Sequence, residues 1–245
     1  MNTTETKLEY KVCSTEKKAL PVIIVAAGAS TRMNGKNKQF LEINGIPVIV
    51  KTLLAFEKSP YIRNIILVTR ADDIFKLQLL AEKHNISKLS DIVCGGSSRQ
   101  ESVLNGLARV SKNELSVLIH DGARPLVSDE IIGRVVKGLE SFSAVTCAVK
   151  VKDTVKQIDA DGKVIKTLDR NSLVAVQTPQ GVRLEEYRKA TDSIENLADF
   201  TDDTSIMEAA GYEVLTVDGD YKNIKITTPE DISTAQKFAE SEENL

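Results

Sequence analysis

The sequence lacks the marks of several large classes of protein. Its three cysteines, Cys13, Cys94 and Cys147, are widely separated and form no Cys-x-x-Cys pair. This spacing argues against a disulfide scaffold and against a clustered thiolate metal site. No apolar run approaches the roughly 18 residues of a membrane span, and the N-terminus lacks the apolar stretch of a secretion signal. We therefore expect a cytoplasmic protein without membrane contact.

The chain also lacks a marked excess of either charge. Its 32 basic residues oppose 35 acidic ones, which gives a net charge of −3 over 245 residues. General nucleic-acid binders usually carry a clear basic excess, so we predict no nucleic-acid partner. Any charged functional site must come from local clustering of residues.

What the sequence does contain is a regular alternation of strand-like and helix-like segments. We predict a flexible tail over the mixed polar residues 1–19. The strand-like runs that follow are 22–25, 65–68, 92–93, 116–119, 144–149, 213–217 and 223–226, and helical spacing occurs at 48–56, 74–81, 100–110 and 129–139. Such alternation is typical of a parallel sheet covered on both faces. We predict a single α/β domain over 20–245, with a Rossmann-like, mostly parallel sheet.

One segment interrupts this alternation, at about 150–172. The stretches 154–158 and 163–168 flank Asp159-Ala160-Asp161-Gly162, a sequence typical of a turn, and together they predict a β-hairpin. An inserted hairpin has few neighbours within its own chain. From the pattern alone it is either a surface excursion or an arm that reaches a second subunit.

The loop after the first strand has a local excess of positive charge. Residues 28–38 fit neither the dinucleotide pattern GxGxxG nor the Walker pattern, because residues that each pattern requires are missing. The stretch 22–41 holds three basic residues, Arg32, Lys36 and Lys38, and no acid. Backbone N–H groups of a glycine loop together with Arg and Lys suit a polyphosphate. A solvated basic loop is the alternative.

Further candidate residues follow later strands and would share the same sheet edge. Asp121 follows a strand, and an acid there can hold Mg²⁺ on a nucleotide, directly or through water, or cap a turn. Gly95-Gly96 lead into a helix, where glycines allow close backbone approach to a base or simply a tight turn. The default role of Thr201-Asp202-Asp203 is helix capping. We expect His120 to pack or hydrogen-bond rather than to bind a metal.

Two further segments lie near the C-terminus. Asp218-Gly219-Asp220 matches the DxD metal motif of nucleotide-sugar glycosyltransferases, but its late position favours a tight turn. Residues 223–227 alternate as a strand does, which would place Lys225 on one face with Asn223 and Thr227.

Taken together, these segments resemble the 2-C-methyl-D-erythritol 4-phosphate cytidylyltransferase family of the non-mevalonate isoprenoid pathway. The matching stretches keep the family's order and span about 21–231, nearly the whole chain. They are Ala26-Ala27-Gly28, Thr31-Arg32-Met33, Lys38-Gln39-Phe40, Gly95-Gly96, Arg99-Gln100, Ser102-Val103, His120-Asp121-Gly122-Ala123-Arg124-Pro125, Asp153-Thr154 with Lys156, Asp169-Arg170, Gln177-Thr178-Pro179-Gln180, Thr201-Asp202-Asp203, and Asn223-Ile224-Lys225 with Pro229-Glu230-Asp231. Each stretch is weak alone, whereas the ordered set is highly specific.

The resemblance implies a fold, a reaction and an assembly. The family has a Rossmann-like α/β fold of the nucleotide-diphospho-sugar transferase type, and it dimerises through an extended β-arm, which would be the predicted hairpin. It uses CTP and Mg²⁺ to transfer a cytidylyl group to methylerythritol phosphate, with release of pyrophosphate. We therefore expect CTP as a substrate, Mg²⁺ as the metal and a homodimer as the assembly.

The resemblance also implies roles for individual residues. Arg32 and Lys38 would stabilise charge in the transition state, Lys225 and Arg170 would complete the catalytic set, and Asp121 would lie near the metal. The expected CTP contacts are Ala26, Ala27, Gly28, Gly95, Gly96 and Ser102. The expected sugar-phosphate contacts are Arg124, Thr154, Arg170, Thr178, Thr201 and Lys225, some of them from a partner's arm.

Two positions depart from the family's pattern. Ser30 replaces the second glycine of a loop that often has the sequence G-x-G, and Asn37 stands before the lysine where proline is common. Both changes affect loop rigidity, but neither removes a charged group.

Two other functions stay open. A ribitol 5-phosphate cytidylyltransferase shares the fold and CTP, but such relatives tend to carry AGG in place of Ala26-Ala27-Gly28 and to vary the Asp-Gly-Ala-Arg and Thr-Asp-Asp segments. The other alternative is a catalytically silent nucleotide-binding module, against which the retention of Arg32 and Lys38 argues. The sequence favours the methylerythritol enzyme.

Overall fold

Strands and helices alternate along the part of the chain that the computed structural model describes, residues 19–28 and 37–243. The strands in these ranges are β1 (Leu20–Val25), β2 (Glu42–Ile43), β3 (Ile46–Pro47), β4 (Ile62–Thr69), β5 (Leu89–Cys94), β6 (Ser116–Asp121), β7 (Ala144–Lys150), β8 (Lys156–Ile158), β9 (Val164–Thr167), β10 (Val174–Arg183) and β11 (Val214–Asp218). The helices are α1 (Val48–Lys58), α2 (Ile74–Lys83), α3 (Arg99–Leu107), α4 (Asp129–Gly138), α5 (Leu184–Ser193), α6 (Asp203–Ala209) and α7 (Pro229–Glu243). Short 3-10 helices lie at Lys38–Phe40, Ala71–Asp73, Arg170–Ser172 and Leu197–Asp199.

A sheet of seven strands organises these described residues, in the order β11-β7-β10-β6-β1-β4-β5. β1 pairs in parallel with β4 and β6, β4 with β5, and β7 with β11. Of these seven strands, β10 alone is reversed, because it pairs antiparallel with both β6 and β7. The prediction of a mostly parallel sheet is confirmed.

The composition of β1 explains its central place in the sheet. Its sequence LPVIIV is apolar and rich in β-branched residues, and it is buried on both faces. Val22 and Ile24 share a core cluster with residues of α1, α2 and α4, whereas Ile23 shares another with residues of α3, α5 and α6. Helices therefore cover both faces of the sheet, as the sequence predicts.

The parallel strands bring their carboxyl ends to one edge of the sheet. β1 ends at Val25, β5 at Cys94 and β6 at Asp121. The segments that follow these three strands therefore emerge at the same edge, which is where ligands bind in doubly wound sheets.

The predicted hairpin is present as a separate two-stranded sheet. β8 pairs antiparallel with β9 around a turn in which Gly162 has a φ of 79°. Ile158, Val164 and Ile165 of this hairpin each expose more than half of their surface. The hairpin, called the arm below, thus presents apolar side chains that no described element of its own chain buries.

One predicted strand is wrong. Residues 223–226 lie in irregular backbone, and they do not alternate in exposure, because Asn223 is fully buried whereas Lys225 is exposed. The reason is a set of tertiary hydrogen bonds that replaces a strand ladder. Asn223 Nδ2 donates to Thr178 O at 2.9 Å, and Asn223 O accepts from Arg124 Nη1 at 2.7 Å.

Candidate active site

A cavity of about 420 Å³ opens at the carboxyl edge of the sheet. Its volume lies in the range that small-molecule sites usually have. The residues that line it are Val25, Ala26, Ala27, Gly28, Lys38, Gln39, Gly96, Ser97, Ser98, Arg99, Ser102, Asp121, Ala123 and Lys225. A larger cavity of about 520 Å³ lies between α2 and β5, but no predicted site residue lines it.

The last residue of β6, Asp121, is surrounded by cations. Lys225 Nζ lies 2.7 Å from its Oδ2, Arg124 Nε lies 3.7 Å from the same oxygen, and Arg99 Nε lies 3.6 Å from Oδ1. Burial alone would raise the pKa of the Asp121 carboxyl, but the charges of Lys225, Arg99 and Arg124 outweigh it and hold that pKa well below its usual value. Asp121 is therefore ionised at neutral pH.

A chain of hydrogen bonds fixes the backbone of Asp121. Its N–H donates to Thr178 Oγ1 at 3.0 Å, and Thr178 Oγ1 lies 3.0 Å from His120 Nδ1. His120 Nε2 lies 3.2 Å from Arg124 O, a carbonyl that can only accept, so the ring proton is on Nε2 and Nδ1 accepts from Thr178. Burial lowers the pKa of His120 to about 3, which keeps this tautomer neutral. As predicted, His120 packs and hydrogen-bonds, and it also contacts the Phe56 ring edge-on.

Lys38 enters the cavity from the end of the basic loop. It begins the 3-10 helix Lys38–Phe40, for which Asn37 is the N-cap, with Asn37 Oδ1 accepting from Gln39 N at 3.1 Å. Lys38 Nζ donates to Ile226 O at 2.9 Å. This bond joins the loop after β1 to the segment that carries Lys225, so two lysines distant in sequence lie at one cavity.

Gly95 allows the loop after β1 to approach α3 closely. A Cβ at this position would overlap the Ala27 Cβ and would lie 2.9 Å from Ser102 Oγ. Ser102 Oγ also accepts a hydrogen bond from Gly96 N at 3.0 Å. Because Ala27, Gly96 and Ser102 all line the cavity, a residue larger than glycine at position 95 would change the shape of the cavity wall.

Arg99 is a cavity residue to which the sequence assigned no role. Its Nη2 donates to Asp203 Oδ2 at 2.7 Å, and the two positions are 104 residues apart. Burial would lower the pKa of this guanidinium, but the carboxylates of Asp203 and Asp121 raise it. Arg99 occurs in a matching motif, yet only the structure reveals its buried partner in α6.

The predicted site residues divide into three groups. The structure brings one group together at the cavity or in direct contact with its walls: Ala26, Ala27, Gly28, Lys38, Gly95, Gly96, Ser102, Asp121, Arg124, Thr178 and Lys225. Thr154, Arg170 and Thr201 are exposed and do not line the cavity, and Arg170 Nη1 donates to Lys152 O within the arm region. Arg32, together with Ser30, lies outside the described residues.

The acidic residues near the cavity bear on metal binding. The described residues contain no group of three His, Cys, Asp or Glu side chains that could hold a metal ion. Among the described residues that line the cavity, Asp121 is the one acid. In the Asp218-Gly219-Asp220 motif, Asp218 ends β11 and Asp220 begins a turn, in which Asp220 Oδ1 accepts from Lys222 N at 2.8 Å. Over the same part of the chain, no helix has the length and apolarity needed to cross a membrane.

Known proteins share this fold and sequence over nearly the full chain. The family model for 2-C-methyl-D-erythritol 4-phosphate cytidylyltransferase matches residues 20–241. The proteins of that name from Clostridium novyi and Bacillus mycoides are each 44% identical to this chain, over 89% of it and 96% of their own length.

Solved structures agree with the sequence relatives. The 4-diphosphocytidyl-2C-methyl-D-erythritol synthase from Anaerococcus prevotii superposes with a TM-score of 0.78 at 34% identity, covering 91% of this chain and 97% of that one. The 2-C-methyl-D-erythritol 4-phosphate cytidylyltransferase from Francisella tularensis superposes with a TM-score of 0.74 at 31% identity, covering 90% and 99%. With the family model, the relatives and the cavity in agreement, this chain belongs to the 2-C-methyl-D-erythritol 4-phosphate cytidylyltransferase family.

Proposed function

We propose that this enzyme transfers the cytidylyl group of CTP to 2-C-methyl-D-erythritol 4-phosphate. The products are 4-diphosphocytidyl-2-C-methyl-D-erythritol and pyrophosphate. The observation that carries the proposal is the arrangement of Lys225, Arg99 and Arg124 around one ionised carboxylate, Asp121, in a cavity that Lys38 also lines, at the carboxyl edge of a doubly wound sheet. Membership of the cytidylyltransferase family supports the choice of both substrates.

The chemistry needs positive charge more than it needs a base. An oxygen of the sugar phosphate attacks the α-phosphorus of CTP, a new P–O bond forms, and the bond to the β,γ-diphosphate breaks. The attacking oxygen is already ionised at neutral pH, so no side chain has to remove a proton. Both reactants are anions, however, and they must be held together while charge moves onto the leaving pyrophosphate. The cationic cavity suits this task.

Lys38 and Arg32 are the groups that we assign to the α-phosphate and the leaving group. Lys38 lies at the cavity and is held near the Lys225 segment through Ile226 O. Arg32 lies six residues earlier in the same acid-free loop, outside the described residues. The segments 26–28 and 95–96, with Ser102, form the wall against which we place the nucleotide.

Lys38→Ala provides a test of the assigned charge stabilisation. We expect kcat to fall by about 100-fold or more, because a charge that acts mainly in the transition state is lost, while the Kd for CTP rises by less than about fivefold. Lys83→Ala, at the exposed end of α2, is the control and should keep both values. A large rise in the Kd of Lys38→Ala with an unchanged kcat would contradict the assignment.

Asp121 fits a metal ion that is held mainly by the nucleotide. Mg²⁺ often binds through one or two carboxylates, substrate phosphates and water rather than in an all-protein cage. An ionised carboxylate at the cavity, with no second acid among its described lining residues, matches that mode. Bound there, Mg²⁺ would neutralise phosphate charge. Lys225 and Arg124 would keep the carboxylate oriented toward the phosphates.

We also propose that the sugar phosphate is bound between two subunits. Thr154 and Arg170 belong to the arm region and do not line the cavity of their own chain. The apolar side chains exposed on the arm support docking on a second copy. A homodimer would then place each arm's Thr154 and Arg170 at the partner's cavity, next to Lys225 and Arg124.

A pyrophosphate-release assay tests the proposed function. The purified full chain is supplied with CTP and Mg²⁺ and with either methylerythritol phosphate or ribitol 5-phosphate. We expect release with methylerythritol phosphate and little with ribitol 5-phosphate. Turnover with ribitol 5-phosphate alone would assign the other sugar phosphate, and CTP binding without turnover on either acceptor would indicate a silent nucleotide-binding protein.

A further inference from the structure

Arg99 lies between two carboxylates at the wall of the cavity. Its Nη2 donates to Asp203 Oδ2 at 2.7 Å, whereas its Nε lies 3.6 Å from Asp121 Oδ1. The first contact is a charge-assisted hydrogen bond, and the second is too long for one. Arg99 is therefore anchored on Asp203 and extends from there toward Asp121.

Asp203 is fixed from several sides. It is completely buried, and its Oδ1 accepts from the hydroxyl of Tyr187, itself buried, at 2.8 Å. Its backbone N–H donates to Gln180 Oε1 at 2.9 Å, and Gln180 Nε2 also donates to Asp202 Oδ2 at 2.8 Å. Because both carboxylate oxygens of Asp203 and its backbone are engaged, the side chain has one orientation.

Helix capping does not explain Asp203. The N-cap of α6 is Asp202, whose Oδ1 accepts from Ser205 N at 2.8 Å. Asp203 is the next residue, and its carboxylate points into the interior instead. A buried carboxylate is costly unless it is paired and hydrogen-bonded, and the pair that it makes here is with a cavity arginine.

We propose that Asp203, held by Tyr187, is a positioning residue that orients Arg99, which in turn fixes the carboxylate of Asp121. Lys225 holds Oδ2 of that carboxylate, and Arg99 approaches Oδ1 from the opposite element, α3. Without Asp203, the long side chain of Arg99 has no anchor, and Asp121 loses a fixed charge beside Oδ1. The inference rests on the proposed function, because that function assigns Asp121 to the metal-bound nucleotide.

The test compares Asp203→Asn with Asp202→Asn, the same chemical change one residue earlier. Asparagine is as good an N-cap as aspartate, so Asp202→Asn keeps the start of α6 and leaves Arg99 with its partner. It removes an acceptor of Gln180 Nε2, but this amide keeps Thr146 Oγ1 as a partner at 3.2 Å, so Gln180 continues to hold Asp203. We expect Asp203→Asn to lower kcat by about tenfold or more and to raise the Mg²⁺ concentration for half-maximal activity about threefold or more. In Asp202→Asn both should stay within about twofold of the wild type. Equal effects in the two variants would overturn the proposal.

Calorimetric titration with CTP in the presence of Mg²⁺ gives a readout that does not depend on turnover. The Kd for CTP should rise about threefold or more in Asp203→Asn and stay near the wild-type value in Asp202→Asn. An unchanged Kd in a folded Asp203→Asn protein, together with an unchanged Mg²⁺ requirement, would overturn the proposal.

Tyr187→Phe decides the matter if Asp203→Asn does not fold. It keeps the aromatic ring in the core and removes only the hydroxyl that holds Asp203. We expect an increase of about two- to fivefold in the Mg²⁺ requirement, and a folded variant with wild-type values would overturn the proposal. If the wild-type protein itself releases no pyrophosphate, the proposed function is wrong. The Kd for CTP of the variants still tests the positioning role of Asp203 and Tyr187 in that case.

Discussion

At the scale of single residues, Asn37 stands where proline is common in the family, and its side-chain hydrogen bonds take the place of the ring that fixes the proline backbone. Its φ of −74° is one that proline also adopts. Asn37 Oδ1 accepts from Gln39 N at 3.1 Å, and Asn37 Nδ2 donates to Asp73 Oδ2 at 2.9 Å. Arg70 Nε holds the same oxygen of Asp73 at 2.8 Å. Lys38 thus follows a residue that is anchored twice.

Substitution of Asn37 tests whether this anchor positions Lys38. Asn37→Ala removes both bonds, whereas Asn37→Asp keeps the acceptor for Gln39 N and faces Asp73 with a like charge. We expect kcat/KM to fall by about fivefold in Asn37→Ala and further in Asn37→Asp, because the backbone before Lys38 is no longer held in one position. Steady-state kinetics would measure both. Wild-type values in Asn37→Asp would show that the bond to Asp73 has no part in catalysis.

Gly95→Ala tests the close approach of the first loop to α3. The added methyl group would overlap Ala27 and crowd Ser102. We expect an increase of about tenfold in the KM for CTP and a loss of about 1–3 kcal/mol in the free energy of unfolding. Gly96→Ala should also be destabilising, because its Cβ would overlap Cβ, Cγ and Cδ of Glu101, and a Cβ atom cannot move aside as the end of a side chain can. Kinetics and urea unfolding measure the two effects, and a wild-type KM for CTP in a folded Gly95→Ala protein would contradict this interpretation of the wall.

At the scale of secondary-structure elements, the contact between β6 and β10 makes the stability of the fold depend on pH through His120. The Thr178 hydroxyl of β10 accepts from Asp121 N and donates to His120 Nδ1, so a neutral His120 is part of the pairing of these two strands. The folded pKa of His120 is lowered to about 3 by burial, against an ordinary value of about 6.5. Between these values the unfolded chain binds a proton that the folded chain does not, so stability falls as the pH falls.

This difference predicts a loss of stability in mild acid. At pH 5 the contribution of His120 to the free energy of unfolding should be lower than at pH 7 by about 2 kcal/mol. His120→Gln removes the titrating ring, so its unfolding free energy should change less between the two pH values. Urea unfolding at pH 5, 6 and 7 measures both proteins. Parallel pH dependence in wild type and variant would exclude His120 as the cause.

At the scale of the whole molecule, the arm leaves the cavity's own sheet and exposes Ile158, Val164 and Ile165. Its predicted site residues, Thr154 and Arg170, stay away from the cavity of the same chain. Both facts favour a dimer in which each site is completed by the partner, an isologous arrangement that gives two equivalent sites.

Mixing of two inactive variants tests shared sites. Lys38→Ala damages the cavity, and Arg170→Ala damages the arm. If the arm acts on the partner, a mixed dimer has one doubly damaged site and one intact site. Random exchange makes about half of the dimers mixed, so about one quarter of wild-type activity should be restored. The measurement is pyrophosphate release after the two proteins are unfolded together and refolded, with each variant refolded alone as the control. No recovery in a mixture that sediments as dimers would place Arg170 in its own subunit's site.

The sequence predicts the elements that have strong apolar periodicity. It misses the elements whose structure depends on contacts with distant parts of the chain. β1 is predictable because its apolar run is continuous, and the arm because a turn sequence separates its strands. β10 is not predictable in this way, because the polar residues Gln177, Thr178 and Gln180 suggest a surface segment. They are nevertheless buried, since they form hydrogen bonds with groups on other elements. The irregular backbone at 223–226 has the same kind of cause.

The site shows the same division. Family motifs single out Lys38, Asp121 and Lys225, and all three line one cavity, while their roles stay predictions. The importance of Arg99 depends on Asp203, 104 residues away, a distance over which sequence spacing carries no information. The roles of Thr154, Arg170 and Thr201 stay predictions, as does the single domain over 20–245.

The reversed strand β10 connects the arm to the chemistry in one continuous piece of backbone. Its first three residues, 174–176, are exposed and pair with β7, and four residues later it lies between β7 and β6 and pairs with both. At about 3.4 Å per residue, Thr178 lies only roughly 15 Å along this strand from the arm, and its hydroxyl accepts from Asp121 N. Dimerisation through the arm would therefore affect the position of cavity residues along this one strand. Specific activity should then decline on dilution below the dimer's dissociation constant.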